Sequence, residues 1–109
     1  MEDELKQRLA RNEAVFRRIN EGIERGQWPG EEDRPIGFRC ECARLGCAEV
    51  VELSVNAYEQ VRAHSRRFIV VRGHERPELE RVVDATPAYL VVEKVDQAGA
   101  QASATDPRV

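Results

Sequence analysis

Three cysteines fall within eight residues, at Cys40, Cys42 and Cys47, and the chain contains no others. An odd, tightly clustered set cannot pair off completely into disulfides, so the spacing points to a bound metal or to reactive thiols. The rest of the chain makes that constraint matter. Of its 109 residues, 34% are charged and 41% hydrophobic, and the large aromatic and Met side chains are only Trp28, three Phe, two Tyr and Met1. A core with so little material calls for a staple.

Cys40 and Cys42 lie two apart on an expected strand, Phe38 to Cys42, where alternation puts both sulfurs on one face. The following Ala43-Arg44-Leu45-Gly46 is short, and its Gly turns tightly enough to return Cys47 over the other two. Three thiolates suit Zn²⁺, which takes four N or S ligands in a tetrahedron at about 2.0 to 2.3 Å. The fourth ligand must then come from elsewhere. His74 stands just past a strand end in Val71-Arg72-Gly73-His74-Glu75, and His64 sits at the end of a helix. Strand-end geometry favours His74, so Cys40, Cys42, Cys47 and His74 are the expected zinc ligands.

Such a set admits three uses. A closed structural zinc would contribute on the order of 10 kcal/mol to folding. A catalytic zinc needs an open position and a nearby base; Glu41 and Glu75 adjoin ligands, but neighbours on a strand point away from the metal side. The third use is an iron-sulfur cluster, or a zinc released when the thiolates oxidise. Elsewhere there is no Gly-rich phosphate loop and no Gly-x-Ser-x-Gly, so the expectation is a structural zinc and no enzymatic activity.

The spacing C-x-C-x4-C is similar to the zinc-binding post-SET segment of lysine methyltransferases, over eight residues, and implies the coordination alone. More broadly, Phe38-Arg39-Cys40-Glu41-Cys42, Cys47, Tyr58-Glu59, Arg67-Phe68, Gly73-His74-Glu75 and Val91-Val92-Glu93-Lys94 resemble an uncharacterised family of short Cys-rich proteins of high-GC Gram-positive bacteria, across about residues 10 to 95. That resemblance implies that the three cysteines and His74 belong together; it implies no substrate. The chain departs from the pattern at Arg72, where a Pro is expected before Gly-His-Glu.

The N-terminal segment reads as one helix from about Glu2 to Arg25, ending at Gly26 and the Trp28-Pro29-Gly30 stop. Leu5, Leu9, Asn12, Phe16, Ile19 and Ile23 are spaced as a heptad seam with one polar member. The helix would be about 36 Å long. Its stripe either lies across the protein's own sheet or faces a partner, a second copy or another protein; Asn12 would fix the register of a dimer.

After a linker, residues 27–36, short strands are expected over Phe38 to Cys42, Glu49 to Leu53 and Arg67 to Val71. Ser54 caps a helix to about His64, with Val55, Tyr58 and Val61 inward. A hairpin, Val82 to Ala85 with Tyr89 to Val95, closes around Thr86-Pro87-Ala88. The fold class expected is α+β: a long amphipathic N-terminal helix, residues 1–26, then a zinc-stapled antiparallel sheet with one further helix, residues 37–96. Residues 97–109 hold nothing bulkier and apolar than Ala and Pro before the last residue, and are expected as a disordered tail.

The net charge of −3 is unevenly spread, and residues 61 to 76 carry +4 through Arg62, Arg66, Arg67, Arg72 and Arg76 against Glu75. Nucleic-acid binding through that patch is an alternative function. No stretch approaches a membrane span, and Met1-Glu2-Asp3-Glu4 lacks the features of an export signal, so a cytoplasmic protein is expected. The leading expectation for function is a regulatory, protein-interaction adaptor whose helix is the interaction element. The remaining alternative is a thiol or zinc redox sensor.

Overall fold

The computed structural model describes residues 3–42, 44 and 46–108, with the side chains of residues 3–7 and 10 left aside. The architecture is α+β, in the order α1 (Asp3–Arg25), β1 (Pro35–Arg39), β2 (Val50–Ser54), α2 (Val55–Arg62), β3 (Arg67–Val70), β4 (Glu80–Ala85), β5 (Leu90–Lys94) and α3 (Asp96–Ala104). β1 and β2 pair antiparallel, Phe38 opposite Val51. The second sheet is antiparallel in the order β3-β5-β4, Phe68 opposite Val92. Both sheets and α2 feed one core, in which Phe38 stacks on Tyr58 at 4.4 Å, among Val51, Leu53, Phe68, Ile69 and Val92. Ser54 caps α2 by accepting from the Ala57 N–H at 3.0 Å, as its position in the sequence implies.

β1 begins and ends three residues earlier than expected, so Cys40 and Cys42 follow the strand instead of lying on it. Extended backbone nevertheless continues through them: the Cys40 N–H donates to Glu49 C=O at 3.0 Å and the Glu41 N–H to Ile69 C=O at 2.8 Å. That second bond ties the two sheets together.

The expected disordered tail is instead the helix α3, with Ala102 and Asp106 buried. Small residues allow it. A Cβ on Gly99 would lie 2.8 Å from Lys94 C=O, so only glycine lets α3 lie so close to the end of β5. Beyond the helix, Asp106 pairs with the buried Arg62 and lies 3.8 Å from the Arg17 guanidinium.

α1 lies on its own body, but not by the stripe the sequence displays. Its most buried residues are Leu9, Glu13, Ala14, Arg17, Asn20 and Glu21, while Val15 is 48% and Ile19 38% exposed, and Phe16 is half-buried beside Arg39. The inward face is turned by about one residue step, ~100°, from the apolar seam. Of that seam Leu9 packs on Leu79 and Ile23 against the main core; the Leu5 side chain lies outside the described residues. The cause is charge beneath the helix. Lys94 pairs with Glu13 and Glu80, and Arg62 with Glu21 at 3.0 Å. Arg17 donates to the carbonyls of Ser65 and Arg67 at 2.6 and 2.8 Å, with its guanidinium 3.6 Å over the Phe68 ring. Buried charges left unpaired cost more than a few exposed apolar side chains, so the pairs set the rotation of the helix. Among the described residues no helix is long and apolar enough to cross a membrane.

Candidate metal centre

The loop between β1 and β2 and the turn after β3 meet at one point. Cys40, Cys42, Cys47 and His74 each bring a ligand atom there, all within 4.8 Å of one another, and together they form a group able to hold a metal ion. No disulfide joins the cysteines. Alternation through Cys40-Glu41-Cys42 puts both sulfurs on one side, as the spacing implies, although the strand itself has ended. Gly46, at φ 82°, turns the loop so that Cys47 returns, and Gly73, at φ 92°, does the same before His74. The two loops are laced together by the Arg44 guanidinium, which donates to Gly73 C=O at 3.1 Å. Arg72 takes a role of its own where a Pro was expected, donating to Thr86 C=O at 3.2 Å.

The geometry fits a single tetrahedral ion. With metal–sulfur and metal–nitrogen bonds of about 2.3 and 2.05 Å, a tetrahedron separates N from S by ~3.6 Å. His74 Nδ1 lies 3.6 Å from Cys40 Sγ and 3.7 Å from Cys47 Sγ. A multi-iron cluster distributes its thiolates over several metal atoms and calls for a wider cage. On the other side of the ring, His74 Nε2 lies 2.9 Å from Glu49 Oε2. An imidazole donating from Nε2 to that carboxylate keeps the Nδ1 lone pair for a metal, the usual outer support of a metal-bound histidine. Glu49 is the site residue that the sequence did not single out. His64, the other candidate, is exposed at the end of α2 and belongs to no such group among the described residues.

The sulfurs are electrostatically prepared. The Cys40 thiol donates to Cys42, which holds Cys42 down to about 4, and the same contact together with burial pushes Cys40 up. Burial also raises Cys47. Thiolates this close cannot all form beside one another in the absence of a cation, and a dication removes the conflict. Backbone donors help: the Val71 N–H lies 3.3 Å from Cys40 Sγ and the Arg44 N–H 3.5 Å from Cys42 Sγ.

Neither neighbouring carboxylate is aimed at the centre. Glu41 points to the opposite side of the chain, bonded to Asn20, Tyr58 and the Ile69 N–H. Glu75 accepts from the Gly73 N–H at 2.7 Å. The basic stretch is largely engaged internally: Arg62 is buried against Glu21 and Asp106, Arg67 pairs with Glu93 at 3.1 Å, and Arg66 donates to Ser103 at 3.3 Å. No family model, curated protein or solved structure matches the chain, and its chemistry is read from this geometry.

Proposed function

We propose that the protein is a non-enzymatic zinc-binding protein, in which a closed Cys3His site staples the β1–β2 loop to the turn after β3, and that it serves as an interaction adaptor. The observation that carries the zinc reading is the two-sided hold on His74: Nδ1 stands at tetrahedral distance from two sulfurs while Glu49 takes Nε2. Four protein donors complete a tetrahedron and leave no position for substrate, and neither Glu41 nor Glu75 is free to act as a base. Protein purified without chelator is expected to hold one zinc per chain and to be colourless. Replacement by Co²⁺ should give the visible absorption of a tetrahedral thiolate site. Iron with sulfide, or a metal content near zero after zinc is supplied, refutes the assignment.

The adaptor reading is supported by the outward apolar side of α1, Val15, Ile19 and half-buried Phe16, which the protein's own body leaves uncovered. Nucleic-acid binding has less support, because Arg62 and Arg67 of the basic stretch already have carboxylate partners. Val15→Glu with Ile19→Glu is expected to preserve metal content and folding while abolishing either self-association in sedimentation or retention of a partner protein. Steeply salt-dependent retention of RNA or DNA by the parent chain would favour the other reading.

A further inference from the structure

Glu41 stands between two of the metal-site cysteines, yet its carboxylate lies on the far side of the chain from their sulfurs. It is fully buried and accepts three hydrogen bonds, from Asn20 Nδ2 at 2.9 Å, the Tyr58 hydroxyl at 2.7 Å and the Ile69 N–H at 3.0 Å. Each donor belongs to a different element: α1, α2 and β3. Asn20, also fully buried, grips the same segment a second time: its amide donates to Arg39 C=O at 2.9 Å and accepts the Arg39 N–H at 2.8 Å. The C-terminal part of α1 is therefore fastened to residues 39 to 41, the stretch that delivers Cys40 and Cys42 to the metal centre.

We propose that Glu41 couples metal occupancy to the docking of the end of α1, from Asn20 to Arg25, so that release of the ion loosens this end while the β3-β5-β4 sheet stays folded. The inference rests on the metal-binding reading above. With both flanking sulfurs on one ion, the backbone at residue 41 is pinned from two sides and its carboxylate meets all three donors at once. Without the ion the loop gains conformations, and a buried carboxylate that loses its donors moves to water. Asn20 then loses its partners as well. The part of α1 before Asn20 has independent anchors, Leu9 on Leu79, Glu13 on Lys94, and Arg17 on the carbonyls of Ser65, Arg67 and Ala102, whereas from Asn20 on the apolar contact is that of Ile23 with the main core. Glu21 and Glu24 are met by Arg62 and Arg108, whose long flexible stems can follow a displaced helix. By linkage, whatever factor the metal adds to docking, docking adds to metal affinity.

The test is hydrogen exchange on the full chain, zinc-loaded and after chelation, with metal content measured on the same samples. Amides from Asn20 to Arg25 are expected to exchange at least about tenfold faster without zinc, with those of β3 and β5 changed by less than about twofold. The difference should shrink in Glu41→Gln, which bears no ligand atom. Tyr58→Phe removes one donor and retains the ring stack on Phe38, so it keeps the question open to test if Glu41→Gln does not fold. A parent chain that binds zinc but shows equal exchange in α1 with and without it overturns the coupling. So does loss of protection throughout the chain on chelation, since the ion would then be needed for folding in general. A Glu41→Gln or Tyr58→Phe chain that responds to zinc as the parent does overturns the role of Glu41. A chain that takes up no zinc refutes the metal reading itself, an outcome told apart by the metal content alone.

Discussion

The two sides of the segment that Glu41 divides hold opposite kinds of polar assembly. On one side, three sulfurs and an imidazole crowd around a point, with the Val71 and Arg44 backbone N–H groups as donors to the sulfurs. On the other, beneath α1, acids and bases alternate: Glu13 and Glu80 on Lys94, Glu21 and Asp106 on Arg62, and Glu21, Glu24 and Glu59 on Arg108. The first is a group able to hold an ion from outside, whereas the second pairs its charges within the chain. A chelator should therefore act on the first, while charge removal and pH should act on the second.

The largest effect separates them most sharply. Cys42→Ser is expected to take bound zinc from one per chain to near zero, forfeiting apparent binding free energy on the order of 10 kcal/mol, as read by metal analysis and competition with a chelator. The β3-β5-β4 sheet should still give its circular-dichroism signal, since none of the four ligand residues takes part in the pairing of β5 with β3 or β4.

Arg62→Ala attacks the other side. It leaves the buried Asp106 without its main partner and Glu21 with Arg108 alone, and should lower unfolding free energy by about 3–5 kcal/mol in urea titration, with metal stoichiometry unchanged. Deleting residues 97–109 should cost a similar amount, about 3–5 kcal/mol by the same measurement, because Arg62 and Arg17 lose Asp106 while Glu21, Glu24 and Glu59 lose Arg108. A deletion without effect would mean that α3 contributes nothing to the body.

Glu49→Gln returns to the metal side with a smaller expected change. Metal is retained, but zinc affinity should fall by about 10- to 100-fold in chelator competition, as His74 loses the carboxylate on its Nε2. His64→Ala serves as the control that changes nothing.

The smallest effect is electrostatic. Burial, with Glu59 alongside, pushes the Glu24 carboxyl up from 4.5 to about 7, against the pull of Arg108. The folded chain then holds a proton that the unfolded chain has released, so this residue's contribution to stability falls as pH rises from about 5 to 7. Glu24→Gln, neutral throughout, should show a flatter thermal midpoint over that window. The gap between the two chains should stay below about 1 kcal/mol, because the group is partly solvated.

Much of the local order is legible in the sequence alone. The cysteine spacing placed two sulfurs on one side, Ser54 announced its helix, and Thr86-Pro87-Ala88 marked the hairpin turn. Each is a statement about residues a few positions apart, and backbone periodicity and turn chemistry act at that range. Even the offset of β1 left the sulfur alternation intact, because extended backbone alternates whether or not a second strand pairs with it.

What only the tertiary structure decided are the relations between distant residues: that Glu49 stands behind His74, that Gly99 and Ala102 let α3 pack closely, and that α1 turns its polar face inward. The apolar seam of α1 is real in the sequence, but periodicity records which residues share a side and not which side is covered. Covering was settled by Lys94, Arg62 and Asp106, because a buried charge without a partner costs more than leaving Val15 and Ile19 in water.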